Sequence, residues 1–285
     1  MKTLFLKTGR LLRGPNLGLL IGSLSLVVWK AGIQFSVYQW WALLLGTASI
    51  AAAGNVVNDI VDQAIDQINK AEKRLVGVWL SERAAWGLYY GLNALGLGLA
   101  VGTQNLAWCL GYALAIVLLY VYSCFLKGRA WWGNWCIAFL CGWSFLQLLW
   151  MAPKQWDNYW KTALVVYACF AFLTNWWREL IKDIEDAKGD AQQACHTLVV
   201  QKGVAYALKI AHYMGNALLL WLVLVTPLLW EFAPAAACGY TLLVLFPVAC
   251  YLKWYLRQLT TANIHQFSQF LKGYMLLGLL GVLFL

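Results

Sequence analysis

Apolar runs of about 18–25 residues recur along this 285-residue chain, and each is long enough to cross a bilayer as one helix. Only 12% of the residues are charged, about half the fraction that soluble domains carry. The runs are continuous and do not alternate with polar residues, which argues against a transmembrane β-barrel. The chain is therefore predicted to be an all-α, polytopic membrane protein with no separate soluble domain.

Nine transmembrane helices are predicted, and the distribution of basic residues orients them. They cover approximately residues 15–36, 39–58, 82–103, 105–126, 132–152, 158–181, 204–227, 235–256 and 267–285. A polar connector at 182–203 is predicted after the sixth span. Of the 21 Lys and Arg residues, only Lys30, Lys154 and Lys161 fall on the side opposite the N-terminus. The positive-inside rule then places the N-terminus in the cytoplasm and the C-terminus outside. An integral protein of a bacterial inner membrane is expected.

Two acidic stretches, one after the second span and one after the sixth, contain most of the 12 acidic residues. Each holds three aspartates at i, i+3 and i+7, which share one face of a helix. They are Asp59, Asp62 and Asp66 in the first motif and Asp183, Asp186 and Asp190 in the second. Like charges on one helix face repel each other, so such a face needs water or bound cations around it.

The spacing of the two motifs indicates an internal repeat. Both follow even-numbered spans, so both are predicted at the cytoplasmic side, four spans apart. The single transmembrane domain would then consist of two four-span halves, about 15–126 and 132–256, and a ninth span at 267–285. Parallel repeats place sites at the junction of their halves. The motifs are therefore predicted to face each other across a central cavity open at the cytoplasmic side.

Facing carboxylates of this kind suit a magnesium-bound diphosphate. Mg²⁺ prefers carboxylate oxygens and is commonly completed by substrate phosphates. It would neutralise a diphosphate as this group leaves. Basic residues near the motifs are candidate diphosphate contacts through charge-assisted hydrogen bonds. They are Lys70, Lys73, Arg74, Lys127, Arg178 and Lys182. An apolar chain attached to the diphosphate would extend into the bilayer, which favours an isoprenyl diphosphate.

Four segments carry a resemblance to a known family. Residues 58–66, NDIVDQAID, resemble the NDxxDxxxD motif of the UbiA-type intramembrane prenyltransferases, and residues 183–190, DIEDAKGD, resemble their second motif, DxxDxxxD. Residues 122–127, YSCFLK, are similar to the family's Tyr/Lys element, and residues 13–16, RGPN, to its N-terminal entry. The nine spans also match the family's fold, so the resemblance covers nearly the whole chain.

The resemblance implies a Mg²⁺-dependent transferase. A prenyl diphosphate donor would ionise, and a lipid or aromatic acceptor would capture the allylic cation; neither nucleic acid nor an obligate protein partner is implied. Carried over by position, the metal–diphosphate ligands would be Asn58, Asp62, Asp66, Asp183, Asp186 and Asp190, with Asp59 assisting. Asp62, Asp66, Asp186 and Asp190 would be the catalytic residues. Tyr122 and Lys127 would contact phosphates, and Arg13 and Asn16 would lie at the substrate entry. Ala71 departs from the pattern, since many relatives have Pro there.

Several alternatives stay open at this stage. The run from Arg178 to Asp190, followed by residues 195–198, CHTL, looks most like the ether-lipid branch, whose acceptor is geranylgeranylglyceryl phosphate. An aromatic quinone precursor such as 4-hydroxybenzoate or a dihydroxynaphthoate is the alternative acceptor, and a terpene cyclase would need none. An ion-coupled transporter is less well supported, because no acidic residue lies near the middle of a span. Arg178 and Lys182 are also explained by pairing with Glu179 and Glu185 along the helix, and Lys127 by the positive-inside rule.

Overall fold

The computed structural model describes residues 2–69, 74–192, 195–232, 235–258, 260 and 263–284. Within these ranges the regular structure is entirely helical, apart from two isolated β-bridges, which confirms the all-α prediction. The helices are α1 Lys2–Leu11, α2 Gly14–Lys30, α3 Val37–Trp41, α4 Thr47–Val61, α5 Gln63–Asn69, α6 Glu82–Gly102, α7 Leu106–Val121, α8 Trp132–Met151, α9 Asn158–Gln192, α10 Leu198–Lys202, α11 Val204–Phe232, α12 Ala235–Tyr240, α13 Phe246–Arg257 and α14 Ile264–Leu280. π-helical segments lie at Ala42–Gly46, Tyr122–Leu126 and Thr241–Leu245, and a 3₁₀ turn at Gly281–Phe284.

Among the residues that the structure describes, six helical segments are long and apolar enough to cross a membrane. They are Val37–Val61, Glu82–Gly102, Leu106–Leu126, Trp132–Met151, Val204–Pro227 and Ala237–Arg257. On α7, the exposed residues Leu106, Leu110, Leu114 and Val117 recur every three or four positions and form one outward apolar face. Such a face suits contact with lipid, as expected for an integral membrane protein.

The chain divides into two compact units. The first comprises Met1–Val28, Ile33–Lys127 and Trp150–Pro153, and so holds α1 to α7. The second comprises Trp29–Gly32, Gly128–Leu149 and Lys154–Leu285, and so holds α8 to α14. Each acidic motif belongs to a different unit, with the first motif at the end of α4 and the second on α9.

Close packing of α4 against α6 forms the centre of the first unit. The sequence of α4 is rich in Ala and Gly, which allow helix backbones in a membrane to approach closely. Ala53, Val56 and Val57 are fully buried there, together with Ala85 of α6. At the other end of the interface, a Cβ on Gly96 would lie 2.6 Å from Ile50 Cγ1 and 3.2 Å from the carbonyl oxygen of Gly46.

Replacing Gly96 by Ala is therefore expected to destabilise the protein by about 1–3 kcal/mol, the usual cost of overpacking a well-packed interface. Gly98 lies on the same helix, and a Cβ there would meet no atom within 4 Å. Gly98→Ala is the matched control and is expected to raise the thermal midpoint in detergent slightly or leave it unchanged, because Ala favours the helix. Equal midpoints for the two variants would contradict this account of the α4–α6 interface.

In the second unit, α9 packs antiparallel to α14. The rings of Trp177 and Phe267 are 5.9 Å apart, and those of Phe170 and Tyr274 are 5.5 Å apart, so positions descend along one helix as they ascend along the other. Trp177, Phe267 and Tyr274 are almost fully buried in this core. The helix α9 continues to Gln192, so the first part of the predicted polar connector at 182–203 is helical.

Candidate active site

The first acidic motif lies across two helices instead of one. α4 ends at Val61, and Asp62 follows it with φ −79° and ψ 1°, outside the α region, before α5 begins at Gln63. Backbone hydrogen bonds nevertheless continue through the junction. The amide of Asp62 donates to the Asn58 carbonyl at 2.9 Å, and that of Asp66 donates to the Asp62 carbonyl at 2.7 Å. The expectation of a single helix face is therefore only partly met, because Asp62 lies at the junction.

Asn58, Asp62 and Lys127 form one polar cluster in the first unit. The Asn58 amide donates to Asp62 Oδ2 at 2.8 Å, and Lys127 Nζ donates to Asn58 Oδ1 at 3.1 Å. Lys127 also forms an ion pair with Asp62 Oδ2. The Asp62 side chain is only 6% exposed and that of Lys127 is 31% exposed, so the pair is strongly shielded from water. The structure thus brings together three residues of the predicted site, two of which, Asn58 and Lys127, are 69 positions apart in the sequence.

Lys127 reaches this cluster because of the segment that precedes it. The π-helical segment Tyr122–Leu126 ends in Lys127, whose backbone is extended and whose amide donates to the Tyr122 carbonyl at 2.8 Å. Gly128 follows with φ +77°, a left-handed conformation that favours glycine. Tyr122 contributes its backbone carbonyl here.

Asp59 has a different partner. Arg13 Nη2 lies 3.3 Å from Asp59 Oδ1, with 44% and 23% of the two side chains exposed. Arg13 has a positive φ of 54° at the turn between α1 and α2, and the amide of Asn16 donates to its carbonyl at 2.9 Å. The two residues predicted at the substrate entry therefore form this turn, and Arg13 is connected to the first motif. Sequence reasoning did not anticipate that connection.

The remaining residues predicted in and after the first motif are Asp66, Lys70, Lys73 and Arg74. Asp66 is half-buried on α5, and Arg74 Nη1 donates to Gln67 Oε1 at 3.2 Å. Lys70, Ala71 and Lys73 lie outside the described residues. The structure therefore gives geometry for Arg74 but not for the other two cations predicted in this loop.

The second motif lies on one continuous helix. Asp183, Asp186 and Asp190 are all half-buried on α9. Asn134 Nδ2, in the first turn of α8, donates to Asp183 Oδ2 at 2.7 Å. The pKa of Asp183 is raised to about 7, mainly by burial and further by the charge of Glu179. The hydrogen bond from Asn134 opposes this rise. Nothing in the local sequence distinguishes Asn134, because its connection to Asp183 arises only from helix packing.

Glu179, which the sequence prediction used only as a pairing partner, is a buried acceptor of two cations. Its side chain is 8% exposed, with Arg178 Nη1 at 2.9 Å from Oε1 and Lys182 Nζ at 2.8 Å from Oε2. Glu185 pairs instead with His265, at 2.6 Å from Nδ1, a histidine for which the sequence suggested no role. Arg178 and Lys182 are thus each paired with a carboxylate of the same helix, and in both cases that carboxylate is Glu179.

The donor set of the first motif fits a divalent cation. Asp62 Oδ1 is buried and has no hydrogen-bond partner, whereas Oδ2 is bound by Asn58 and Lys127. A buried carboxylate oxygen is costly when left unsatisfied, and a hard cation such as Mg²⁺ would satisfy it. Across the parts of the chain that the structure describes, no three His, Cys, Asp or Glu side chains already form a ready metal cluster. Within the motifs, Asp59 pairs with Arg13, Asp62 with Lys127 and Asn58, and Asp183 with Asn134.

Comparison with known proteins identifies the family. A model described as the UbiA prenyltransferase family matches residues 19–276. A digeranylgeranylglyceryl phosphate synthase from Methanopyrus kandleri is 32% identical over 202 residues, which cover 71% of this chain and 70% of that protein. One from Methanoregula boonei is 33% identical over 198 residues, which cover 69% of each.

Solved structures share the fold. A structure of digeranylgeranylglyceryl phosphate synthase superposes with a TM-score of 0.76 at 22% identity, covering 99% of this chain and 98% of the other. A UbiA homolog from Archaeoglobus fulgidus, bound to GPP and Mg²⁺, superposes with a TM-score of 0.68 at 18% identity, covering 97% and 99%. Because the family match spans most of its length, the chain belongs to the UbiA prenyltransferase family and is a membrane enzyme of that class.

Proposed function

We propose that this protein transfers a geranylgeranyl group from its diphosphate to the free hydroxyl of geranylgeranylglyceryl phosphate. The observation that carries the proposal is the cluster of Asn58, Asp62 and Lys127, which combines a buried carboxylate with an amide and an ammonium group. The similar proteins from Methanopyrus kandleri and Methanoregula boonei, both digeranylgeranylglyceryl phosphate synthases, support the choice of acceptor.

Mg²⁺ bound to the acidic motifs would neutralise the diphosphate as it departs. Asp62 would offer its unpartnered Oδ1 as a ligand, and Asn58 would orient that carboxylate through the bond to Oδ2. Asp66 of the first motif and Asp183, Asp186 and Asp190 of the second are the further candidate ligands, with Asp59 in support. Asn134 would orient Asp183 in the same way that Asn58 orients Asp62.

Lys127 would act on the diphosphate itself. Its ammonium group, paired with Asp62 and Asn58, is already placed beside the carboxylate that would hold the metal. Once a cation satisfies Asp62, Lys127 can donate to a diphosphate oxygen by a charge-assisted hydrogen bond. Tyr122, Arg74 and Lys70 are proposed as further diphosphate contacts, with Arg13 and Asn16 at the entry. Arg178 and Lys182 are proposed to contact a phosphate as well.

The reaction would break the allylic C–O bond of the donor, with the electron pair leaving on the diphosphate. The acceptor hydroxyl oxygen would form the new C–O bond, and its proton would pass to water. Trp135, Phe139 and Trp143 lie one turn apart on α8, with successive ring centroids 5.3 and 6.1 Å apart and nearly parallel. Their π faces would suit an isoprenoid chain and an allylic cation.

The proposed placement in the membrane extends the six apolar helices to nine spans. The additional spans would be α2, α9 and α14, of which α2 and α14 each have 17 residues. At 1.5 Å per residue they are about 25 Å long, close to the thickness of the hydrocarbon core. With the N-terminus in the cytoplasm and the C-terminus outside, the acidic motifs would lie at the cytoplasmic side of a bacterial inner membrane. The central cavity and the two repeated halves stay predictions.

The test is an assay of purified protein in nanodiscs with geranylgeranyl diphosphate and Mg²⁺. Separate reactions would contain geranylgeranylglyceryl phosphate, 4-hydroxybenzoate, a dihydroxynaphthoate or no acceptor, and mass spectrometry would identify the products. An EDTA-sensitive ether product with geranylgeranylglyceryl phosphate is expected. A product formed only with an aromatic acceptor would replace the proposed acceptor, and a hydrocarbon or alcohol without acceptor would indicate a cyclase. No product and no Mg²⁺-dependent binding of the diphosphate would contradict the proposal.

Metal affinity is expected to fall as the pH falls below about 7. A carboxylate must lose its proton before it binds a metal, and the pKa of Asp183 is raised to about 7. Mg²⁺ binding to the protein would therefore strengthen between pH 6 and 8. Asn134→Leu would remove the hydrogen bond that lowers this pKa, and so shift the midpoint to higher pH. Calorimetric Mg²⁺ titrations of the wild type and Asn134→Leu at several pH values provide the test. The same pH midpoint in both proteins would contradict this role of Asn134.

A further inference from the structure

A polar seam connects α9 and α14 in an otherwise apolar part of the second unit. His265 Nδ1 lies 2.6 Å from Glu185 Oε1. From His265 the seam continues along α14, where Gln269 Nε2 is 3.4 Å from His265 Nε2 and Lys272 Nζ donates to Gln269 Oε1 at 3.1 Å. Positions 265, 269 and 272 follow the i, i+4, i+7 pattern, so they share one face of α14.

Lys272 and Arg178 lie on the same side of the Glu185–His265 contact along the antiparallel pair of helices. Arg178 lies seven residues before Glu185, and Lys272 lies seven residues after His265. Each interval is about 10 Å along its helix. Because the two helices run in opposite directions from the Glu185–His265 contact, these displacements have the same direction. Lys272 accordingly interacts electrostatically with both Arg178 and Lys182. We call Arg178, Lys182 and Lys272 the α9–α14 cation cluster.

The nearby carboxylates engage the donor groups of this cluster only in part. Glu179 is shared by Arg178 and Lys182, and Glu185 is engaged by His265. Lys272 donates to a neutral amide oxygen, and Arg178 Nε is buried without a hydrogen-bond partner. Lys182 also interacts electrostatically with Asp183, so the cations and the nearby carboxylates are equal in number. Charges within a membrane protein are costly unless they serve a ligand or a partner. The groups still available for bonding are donors, which is what an anion requires.

We propose that the α9–α14 cation cluster binds the phosphate monoester of the acceptor. This inference rests on the proposed function and specifies how that site selects its substrate. The guanidinium of Arg178 and two ammonium groups match the oxygens of a phosphate, which accept several charge-assisted hydrogen bonds. An aromatic acid would offer this cluster only one planar carboxylate, so the cluster favours a phosphorylated acceptor.

The distance to the second motif fits the acceptor. On α9, Arg178 precedes Asp183 and Asp186 by about 8 and 12 Å along the helix axis, respectively. In a glyceryl phosphate, the reacting hydroxyl and the phosphate are separated only by the glycerol carbons. A phosphate held at the cluster therefore keeps the hydroxyl within reach of a donor whose diphosphate lies at Asp183 and Asp186. Within the cluster, Lys182 adjoins Asp183, whereas Arg178 lies more than one helical turn before the motif.

The experiment compares wild-type protein, Lys272→Met and Lys272→Arg in nanodiscs of phosphatidylcholine. Binding of geranylgeranylglyceryl phosphate is measured first, without Mg²⁺ or donor, so that the result does not depend on turnover. Lys272→Met is expected to weaken this binding at least about tenfold, the size of one charge-assisted hydrogen bond, and Lys272→Arg to restore most of it. In turnover, Lys272→Met is expected to raise KM for the acceptor and leave KM for the donor unchanged.

Geranylgeranylglycerol, which lacks the phosphate, is the control ligand, and it is expected to bind the wild type and Lys272→Met equally weakly. Lys209→Met on α11 is the control variant, because Lys209 is likewise exposed and lies outside the cluster. Equal binding of the phosphorylated acceptor by wild type and Lys272→Met would overturn the inference, as would a rise in KM for the donor alone. Loss of wild-type acceptor binding on changing to phosphatidylglycerol nanodiscs would assign the cluster to bilayer headgroups and overturn it too. Absence of turnover with intact, Lys272-dependent binding would refute the proposed function and leave the phosphate site standing.

Discussion

Asp62→Asn is expected to lower kcat of prenyl transfer by on the order of a thousandfold. The amide retains the shape of the side chain but loses the charge that pairs with Lys127 and would bind the metal. Asp186→Asn is expected to have a similar effect from the second motif. Membrane insertion should change little. Asp62→Asn also removes one partner of the buried pair with Lys127 and should lower the thermal midpoint, so turnover is measured well below that midpoint. Product formation measured by mass spectrometry at saturating Mg²⁺ provides the test.

Asp157→Asn is the matched control for these substitutions. Asp157 is exposed and accepts a hydrogen bond from the amide of Trp160 at 2.7 Å, at the start of α9. Asn is also a good N-cap residue, so this variant should retain turnover close to that of wild type. Full activity of both Asp62→Asn and Asp186→Asn would refute the assignment of the acidic motifs as the metal–diphosphate site.

Glu179→Gln is expected to destabilise the protein by about 3 kcal/mol. Removal of one partner from a buried ion pair leaves an uncompensated charge, and here two cations lose the same carboxylate. Glu185→Gln is the matched control: it breaks the pair with His265, whose side chain is 67% exposed, and should cost less than about 1 kcal/mol. Thermal midpoints in one detergent, measured for both variants, compare the two positions. A larger loss for Glu185→Gln would show that Glu179 is not the principal counter-charge on α9.

Much of the fold follows from hydrophobic patterning, because a bilayer allows few structures other than helices. Patterning does not determine how far a polar helix continues. The predicted polar connector begins at 182, whereas α9 extends to Gln192. Burial of Glu179, and the contacts of Asp183 with Asn134 and of Glu185 with His265, fix this part of the helix, and they depend on tertiary packing.

The candidate site was predictable to the level of residue type and spacing. The two motifs, and Lys127 as a candidate diphosphate contact, are predicted from their charges, since isolated charges are rare in such a chain. The pairing of Lys127 with Asp62 comes from the structure. Two kinds of information were missing. The end of α4 at Asp62 depends on local backbone geometry, and the partnership of Asn134 with Asp183 joins positions 49 residues apart. A neutral amide near the start of an apolar helix has no sequence signal that relates it to a distant aspartate.

The π-helical segment Tyr122–Leu126 sets the direction in which Lys127 projects. A widened turn of this kind accommodates one more residue than an α-helical turn does, and residues beyond it are rotated by about 100° relative to an uninterrupted helix. Loss of a single residue from this segment would restore regular winding and turn the lysine away from Asp62. Relatives that lack the widened turn would therefore need their basic residue one position away in an alignment, and a gap there would be a structural feature of the family and not an alignment error.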